Sequence, residues 1–129
     1  MPPLKVSTET IRGFGSFTRV ITHGKRFEQK PIKAFVYSSF SKQKELRVGF
    51  TVTREMRKAT QRNLIKRLMR EAFRARREEF FAHFDSGILL EIVFLYCGNT
   101  RIPPRKIRFA YINNTISELS SIMNIGYSK

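Results

Sequence analysis

The sequence predicts an α+β fold, one β-sheet with helices packed against it. Three observations carry that prediction. LRVGFTVT (46–53) alternates, with Leu46, Val48, Phe50 and Val52 on one side and Arg47, Gly49, Thr51 and Thr53 on the other. That is the pattern of a strand with one buried face. Residues 60–83 carry apolar side chains at helical spacing, and GILLEIVFLYCG (87–98) is a nearly unbroken apolar run. A run of that kind suits a central strand covered on both faces.

The elements follow in order. Residues 1–10 are polar and contain proline, and are expected to form a flexible arm before a single domain over 11–125. Phe14, Phe17, Val20 and Ile21 recur at helical spacing and Gly24 is a natural stop, which predicts a helix over 15–23. A weaker strand over 25–30 precedes Pro31. KAFVYSSF (33–40) is rich in β-branched and aromatic residues and reads as a strand, with SKQKE as the turn into the alternating strand. In the helix over 60–83, Ile65, Leu68, Met69 and Ala72 share one face, and Arg62, Asn63, Lys66, Arg70, Arg74 and Arg77 take the opposite third. RIPPRK breaks the chain after the apolar strand. Phe109, Ile112, Ile116, Leu119 and Met123 then predict a last helix over 104–123.

Twenty-five Lys and Arg stand against ten acids in 129 residues, a formal charge of +15. Such a field attracts polyanions. One cysteine, Cys97, excludes an internal disulfide framework. No apolar run reaches membrane-spanning length, and MPPLKVSTET lacks the apolar stretch of a signal peptide, so a soluble cytoplasmic protein is expected. Asp85 is the single Asp, and the nine Glu are scattered. A two-metal nuclease holds several carboxylates on ions about 4 Å apart, and nothing in this pattern resembles that set. His23 and His83 have no evident acidic partners. No catalytic or metal-ligating residue is assigned.

The cationic helix stands out for its single sign. Arg54 to Arg77 contains eight Arg and two Lys against Glu55 and Glu71. Like charges at i and i+4, as in Arg62–Lys66–Arg70–Arg74, cost an isolated helix a few tenths of a kcal/mol per pair. A face built for stability would alternate signs, so the pattern points to a polyanion partner. Arginine suits phosphate because its planar fork donates two parallel hydrogen bonds. The aromatics Phe14, Phe17, Phe35, Tyr37 and Phe40 fit core packing. They also fit stacking platforms beside a cationic track for single-stranded nucleic acid.

Residues 46–74, LRVGFTVTREMRKATQRNLIKRLMREAFR, resemble the signature of the bacterial ribonuclease P protein subunit. That family has an R-V-G strand, a basic turn and R-N-x-x-K-R-x-x-R on a helix, matched here by Arg62, Asn63, Lys66, Arg67 and Arg70. IRGFGSFTRVITHGKRF (11–27) resembles the family's first helix. The resemblance spans residues 11–97, and the last helix matches only in kind. It implies a two-layer α/β sandwich with a four-stranded sheet, three helices and a left-handed βαβ crossover, as in the second domain of a small-subunit ribosomal protein. Right-handed crossovers are the default, so that hand comes from the resemblance alone.

The resemblance also implies a function. The protein joins a catalytic RNA, which with bound Mg²⁺ removes the 5′ leader of precursor tRNA, and the protein alone is inactive. Arg62, Asn63, Lys66, Arg67 and Arg70 would meet that RNA, and Arg74 joins them on charge alone. Phe17, Ile21, Phe35, Arg47 and Arg54 would line the cleft for the single-stranded leader. Phe35 stands where the family often has Tyr, and Ile21 where a second aromatic is common. Glu55 replaces the second Lys of a basic pair, leaving Arg54 alone. A monomeric protein within the ribonucleoprotein, with no membrane partner, is expected. A ribosomal-type structural RNA-binding protein is the competing reading. A DNA-binding regulator ranks below it, because no helix-turn-helix pattern accompanies the basic helix.

Overall fold

The computed structural model describes residues 8–10, 14–53, 56, 58–82, 84, 86–97 and 108–127. Its elements are β1 (Thr8–Thr10), α1 (Phe14–His23), β2 (Lys25–Gln29), β3 (Ile32–Phe40), β4 (Glu45–Val52), α2 (Ala59–Ala75), α3 (Arg77–Phe81), β5 (Ile88–Tyr96) and α4 (Arg108–Tyr127). The sheet runs in the order β1-β4-β5-β3-β2. β2 and β3 form an antiparallel hairpin, β3 pairs antiparallel with β5, and β4 pairs parallel with β5. The apolar run therefore is the central strand. The parallel β4–β5 pair is joined through α2 and α3, as a βαβ unit requires.

Side chains alternate across each strand, so the ladder register sorts them into two faces. On one face lie Phe27, Ile32, Ala34, Val36, Leu46, Val48, Val52, Leu90, Ile92, Phe94 and Tyr96, packed with the buried sides of α2, α3 and α4. Phe94 is the hub of its aromatic cluster. The ring of Phe50 stacks on it at 5.7 Å, and those of Phe73 and Phe80 approach at 5.9 and 5.7 Å. On the other face α1 rests through Val20 against Val93, with Phe17, Phe35 and Tyr37 beside them. Helices thus touch both faces of the sheet.

Three expectations change. The four expected strands are present, and a fifth, β1, joins them from residues assigned to the arm. Thr8–Thr10 pair in parallel with Leu46–Val48. This is backbone pairing to an otherwise open strand edge, and a three-residue segment has no periodicity to announce it. The single helix over 60–83 is two helices. Arg76 leaves helical geometry (φ −119°, ψ 16°) and its N–H donates to the Phe73 carbonyl at 2.9 Å. Adjacent residues of a straight helix point about 100° apart, and the redirected last turn lets Phe80 and Phe81 both be buried. No Gly or Pro marks the break. Phe109 is 42% exposed, whereas Ile112, Ile116 and Leu119 are fully buried. It occupies the first turn of α4, ahead of the stretch packed on α2 and β2. The RIPPRK break lies outside the described residues.

Gly24 ends α1 where no side chain fits. Its N–H donates to the Val20 carbonyl at 2.8 Å. An added Cβ would sit 2.3 Å from that oxygen and 2.9 Å from the Val36 carbonyl oxygen. Both are backbone atoms that cannot swing away, so the α1–β2 corner itself would have to open. Gly24→Ala should cost about 2 kcal/mol or more, read as a lowered denaturant midpoint with the slope unchanged.

Candidate nucleic-acid interface

α2 carries the first candidate surface. Ile65, Leu68, Met69, Ala72 and Phe73 are buried, and Asn63, Arg67, Arg70 and Arg74 are exposed, with Lys66 at the margin. Burying each large apolar side chain stabilises by roughly 1.5–3 kcal/mol. The like-charge pairs on the outer face cost only tenths of that, so the apolar stripe holds the helix against its own cations. α2 has no acid in its first turn, and its N-cap Lys58 makes no side-chain cap bond. Cations at the positive end of a helix dipole are unfavourable unless an anion meets them. The Arg70 guanidinium carbon lies 5.9 Å from the Phe50 ring centroid, which restrains the arginine over the edge of the core.

Arg62 departs from the expected arrangement. Its Nη1 donates to the carbonyls of Thr53 at 2.9 Å and Met56 at 3.0 Å, and its Nη2 donates to that of Val52 at 3.1 Å. The side chain turns back toward the end of β4 and supplies donors to three backbone carbonyls there and just beyond it. Sequence spacing groups it with the outward cations, because a helical wheel cannot show that a preceding loop returns within reach.

The second candidate surface is the sheet face opposite the main core. The register sets its side chains in rows, with Tyr37, Glu91 and Arg47 in one row, Phe35, Val93 and Gly49 in the next, and Lys33, Leu95 and Thr51 in the third. α1 covers the first two rows in part, through Phe17 and Val20. Ile21, one residue on, is 38% exposed. Of the residues expected to line a cleft, Phe17 and Phe35 pack on this face, Arg47 stands in its first row, Ile21 lies on α1 beside Val20, and Arg54 lies outside the described residues. Arg47 is half-exposed, 3.6 Å from Glu45. Phe40, also an aromatic candidate, is 98% exposed at the far end of β3, opposite Ile88.

Two residues at this face, Arg19 of α1 and Glu91 of β5, carry no site assignment from the sequence, and Tyr37, one of the candidate stacking aromatics, lies beside them. Tyr37 packs beside Phe17 and Phe35. Glu91 is 1% exposed, and the Arg19 Nη2 donates to both its oxygens, at 2.6 and 2.9 Å. The one sequence signal is the acid itself, an interruption in an otherwise apolar strand. Among the described residues no three His, Cys, Asp or Glu are grouped to hold a metal ion, and no helix is long and apolar enough to cross a membrane.

These features define a small, strongly basic α+β protein with one single-signed helix face and a half-covered sheet face lined by aromatic and cationic side chains. The sequence model of the Ribonuclease P family matches residues 7–102. The ribonuclease P protein component of Syntrophus aciditrophicus (strain SB) is 38% identical over 93 residues, covering 72% of this chain and 71% of that one. That of Clostridioides difficile (strain 630) is 32% identical over 112 residues, covering 87% and 89%. Among solved structures, a Staphylococcus aureus RNase P protein mutant superposes with a TM-score of 0.65 at 19% identity, covering 88% of this chain and 86% of that one. The Thermotoga maritima RNase P protein gives 0.59 at 21% identity, with 88% and 96% covered. The chain belongs to the ribonuclease P protein family.

The two roles found on α2 separate experimentally. Arg62→Ala removes charged donors from three carbonyls and should destabilise by about 1.5–3 kcal/mol. Arg67→Ala, on the exposed face, should stay within about 0.5 kcal/mol. Chemical denaturation of the two variants checks this.

Proposed function

We propose that this chain is the protein subunit of a ribonuclease P ribonucleoprotein and acts by binding two RNAs on two faces. The exposed side of α2, with Asn63, Lys66, Arg67, Arg70 and Arg74, meets the catalytic RNA. Arg62 serves that face by anchoring the start of α2 to the carbonyls of Val52, Thr53 and Met56. The sheet face beside α1 holds the single-stranded 5′ leader of precursor tRNA, with Phe17, Ile21, Phe35 and Tyr37 against bases and Arg47 and Arg54 near phosphates. The RNA subunit, with Mg²⁺ on its phosphates, carries out the hydrolysis that yields the mature 5′ end, and the protein contributes affinity and orientation.

The observation that carries this reading is the uncompensated cationic face of α2, set over a fully buried apolar stripe. The helix is fixed to the fold by one side and offers a preorganised row of phosphate donors on the other. Little of the binding energy is then spent on ordering the helix. The family membership supports ribonuclease P RNA as that polyanion. The sheet face adds what a helix cannot, flat rings beside cations, the combination that suits unpaired bases.

Reconstitution tests the assignment. The purified chain should cleave nothing alone and should restore precursor-tRNA cleavage at low Mg²⁺ when mixed with the catalytic RNA of its own genome. Cleavage by the protein alone, or RNA activity indifferent to it, sinks the proposal. Arg67→Ala or Arg70→Ala should weaken association with the catalytic RNA and reduce the salt slope by about one for each phosphate no longer neutralised. Phe17→Ala should leave that association intact and weaken binding of leader-bearing precursor tRNA by about 1–3 kcal/mol. Titrations with leader-bearing and leaderless tRNA distinguish the two faces.

A further inference from the structure

Glu91 lies in the middle of β5, the most enclosed strand of the sheet, with strands paired on both sides. Placing a charge there is costly, and an apolar residue would serve stability as well or better. The pair it makes is directional. One nitrogen of Arg19, Nη2, binds both carboxylate oxygens. The guanidinium carbon also lies 5.7 Å from the Tyr37 ring centroid. Yet the Arg19 side chain remains 46% exposed, and its Nε and Nη1 take no part in the bond to Glu91.

The apolar contact beneath α1 is small. Val20 and Val93 are its buried members, with Phe17, Phe35 and Tyr37 only partly buried around them. Such a patch resists lifting of the helix but sets its slide and rotation weakly, because apolar contact is non-directional. The Arg19–Glu91 bond supplies the missing direction. It ties the outer helix to the row that also holds Tyr37 and Arg47. Arg47 of the same row lies 3.6 Å from Glu45, so each arginine of this neighbourhood is held beside a carboxylate, and Arg19 keeps its outer edge in solvent.

We propose that Glu91 and Arg19 are the positioning pair of the leader face. The buried carboxylate fixes α1 on the sheet and turns the outer edge of the Arg19 guanidinium toward a phosphate of the single-stranded leader. This rests on the leader-face reading above and adds two residues to it, one that acts through the other. It runs against simple electrostatics. Removing a carboxylate from a face that receives a polyanion should tighten binding, whereas loss of a positioning group should weaken it.

The experiment uses the full chain assembled with its catalytic RNA, titrated with precursor tRNA bearing a short leader and with leaderless tRNA. Glu91→Gln is expected to weaken leader-bearing tRNA about tenfold, the scale of one well-aimed charged hydrogen bond, and to leave leaderless tRNA unchanged. Arg19→Gln should lower the salt slope for leader-bearing tRNA by about one. The neutral double variant, which leaves no unpaired buried charge, should bind no more weakly than Arg19→Gln alone. Glu91→Gln binding leader-bearing tRNA equally or more tightly overturns the proposal, as does an equal loss on both substrates. A wild-type complex with no preference for the leader instead overturns the leader-face reading and this inference with it.

Discussion

The ladder of β5 ties together segments that lie far apart in the chain. It pairs antiparallel with β3 from Ile88 to Tyr96 and in parallel with β4 from Leu89 to Tyr96, residue for residue. Each strand it joins brings a different part of the protein. β3 carries the hairpin with β2 and the aromatic residues Phe35 and Tyr37. β4 leads directly into the cationic helix. Because side chains alternate, β5 also separates the two faces. Leu90, Ile92 and Phe94 enter the main core, and Glu91 and Val93 face α1. A slip of one residue in this ladder would exchange the faces, placing Glu91 in the aromatic core and Phe94 under α1.

The cationic helix depends on that same core. Its outer face repels itself, and it lacks a side-chain cap and first-turn acids. What keeps it helical is the stripe from Ile65 to Phe73, which sits on the ring cluster around Phe94. Burial of a few kcal/mol outweighs repulsion of a few tenths per pair. Arg62 extends the arrangement backward by binding the carbonyls of Val52, Thr53 and Met56, which ties the first turn of the helix to the end of β4. The charge is displayed rather than buried, and the fold is free to use it on a partner.

The sheet's second face follows a different logic. It is covered only in part, by one short helix with a small apolar footing, and its strongest fixed contact is an ion pair rather than a packed cluster. In the proposed function this is the face that receives a flexible single strand. Rings that are half-buried are oriented by their neighbours and still present a flat side, and arginines held by carboxylates keep a defined direction. Such a surface is preorganised without being closed.

The sequence by itself determined the α+β class, the places of α1 and of β2 to β5, the apolar stripe of α2 and the single sign of its outer face. Each of these is written in local periodicity or in charge counts, and the R-N-x-x-K-R-x-x-R pattern added the family. Only the tertiary structure decided the rest. The parallel pairing of Thr8–Thr10 on β4 depends on an edge formed by residues far along the chain. The break at Arg76 comes from the need to bury two adjacent phenylalanines, which no local breaker residue announces. The inward turn of Arg62 depends on carbonyls of the preceding junction. The meeting of Arg19 with Glu91, 72 residues apart, arises because strand register and the seat of α1 place them together. Local patterns record the period of a side chain and its charge. Which distant atom answers it is settled when the sheet closes.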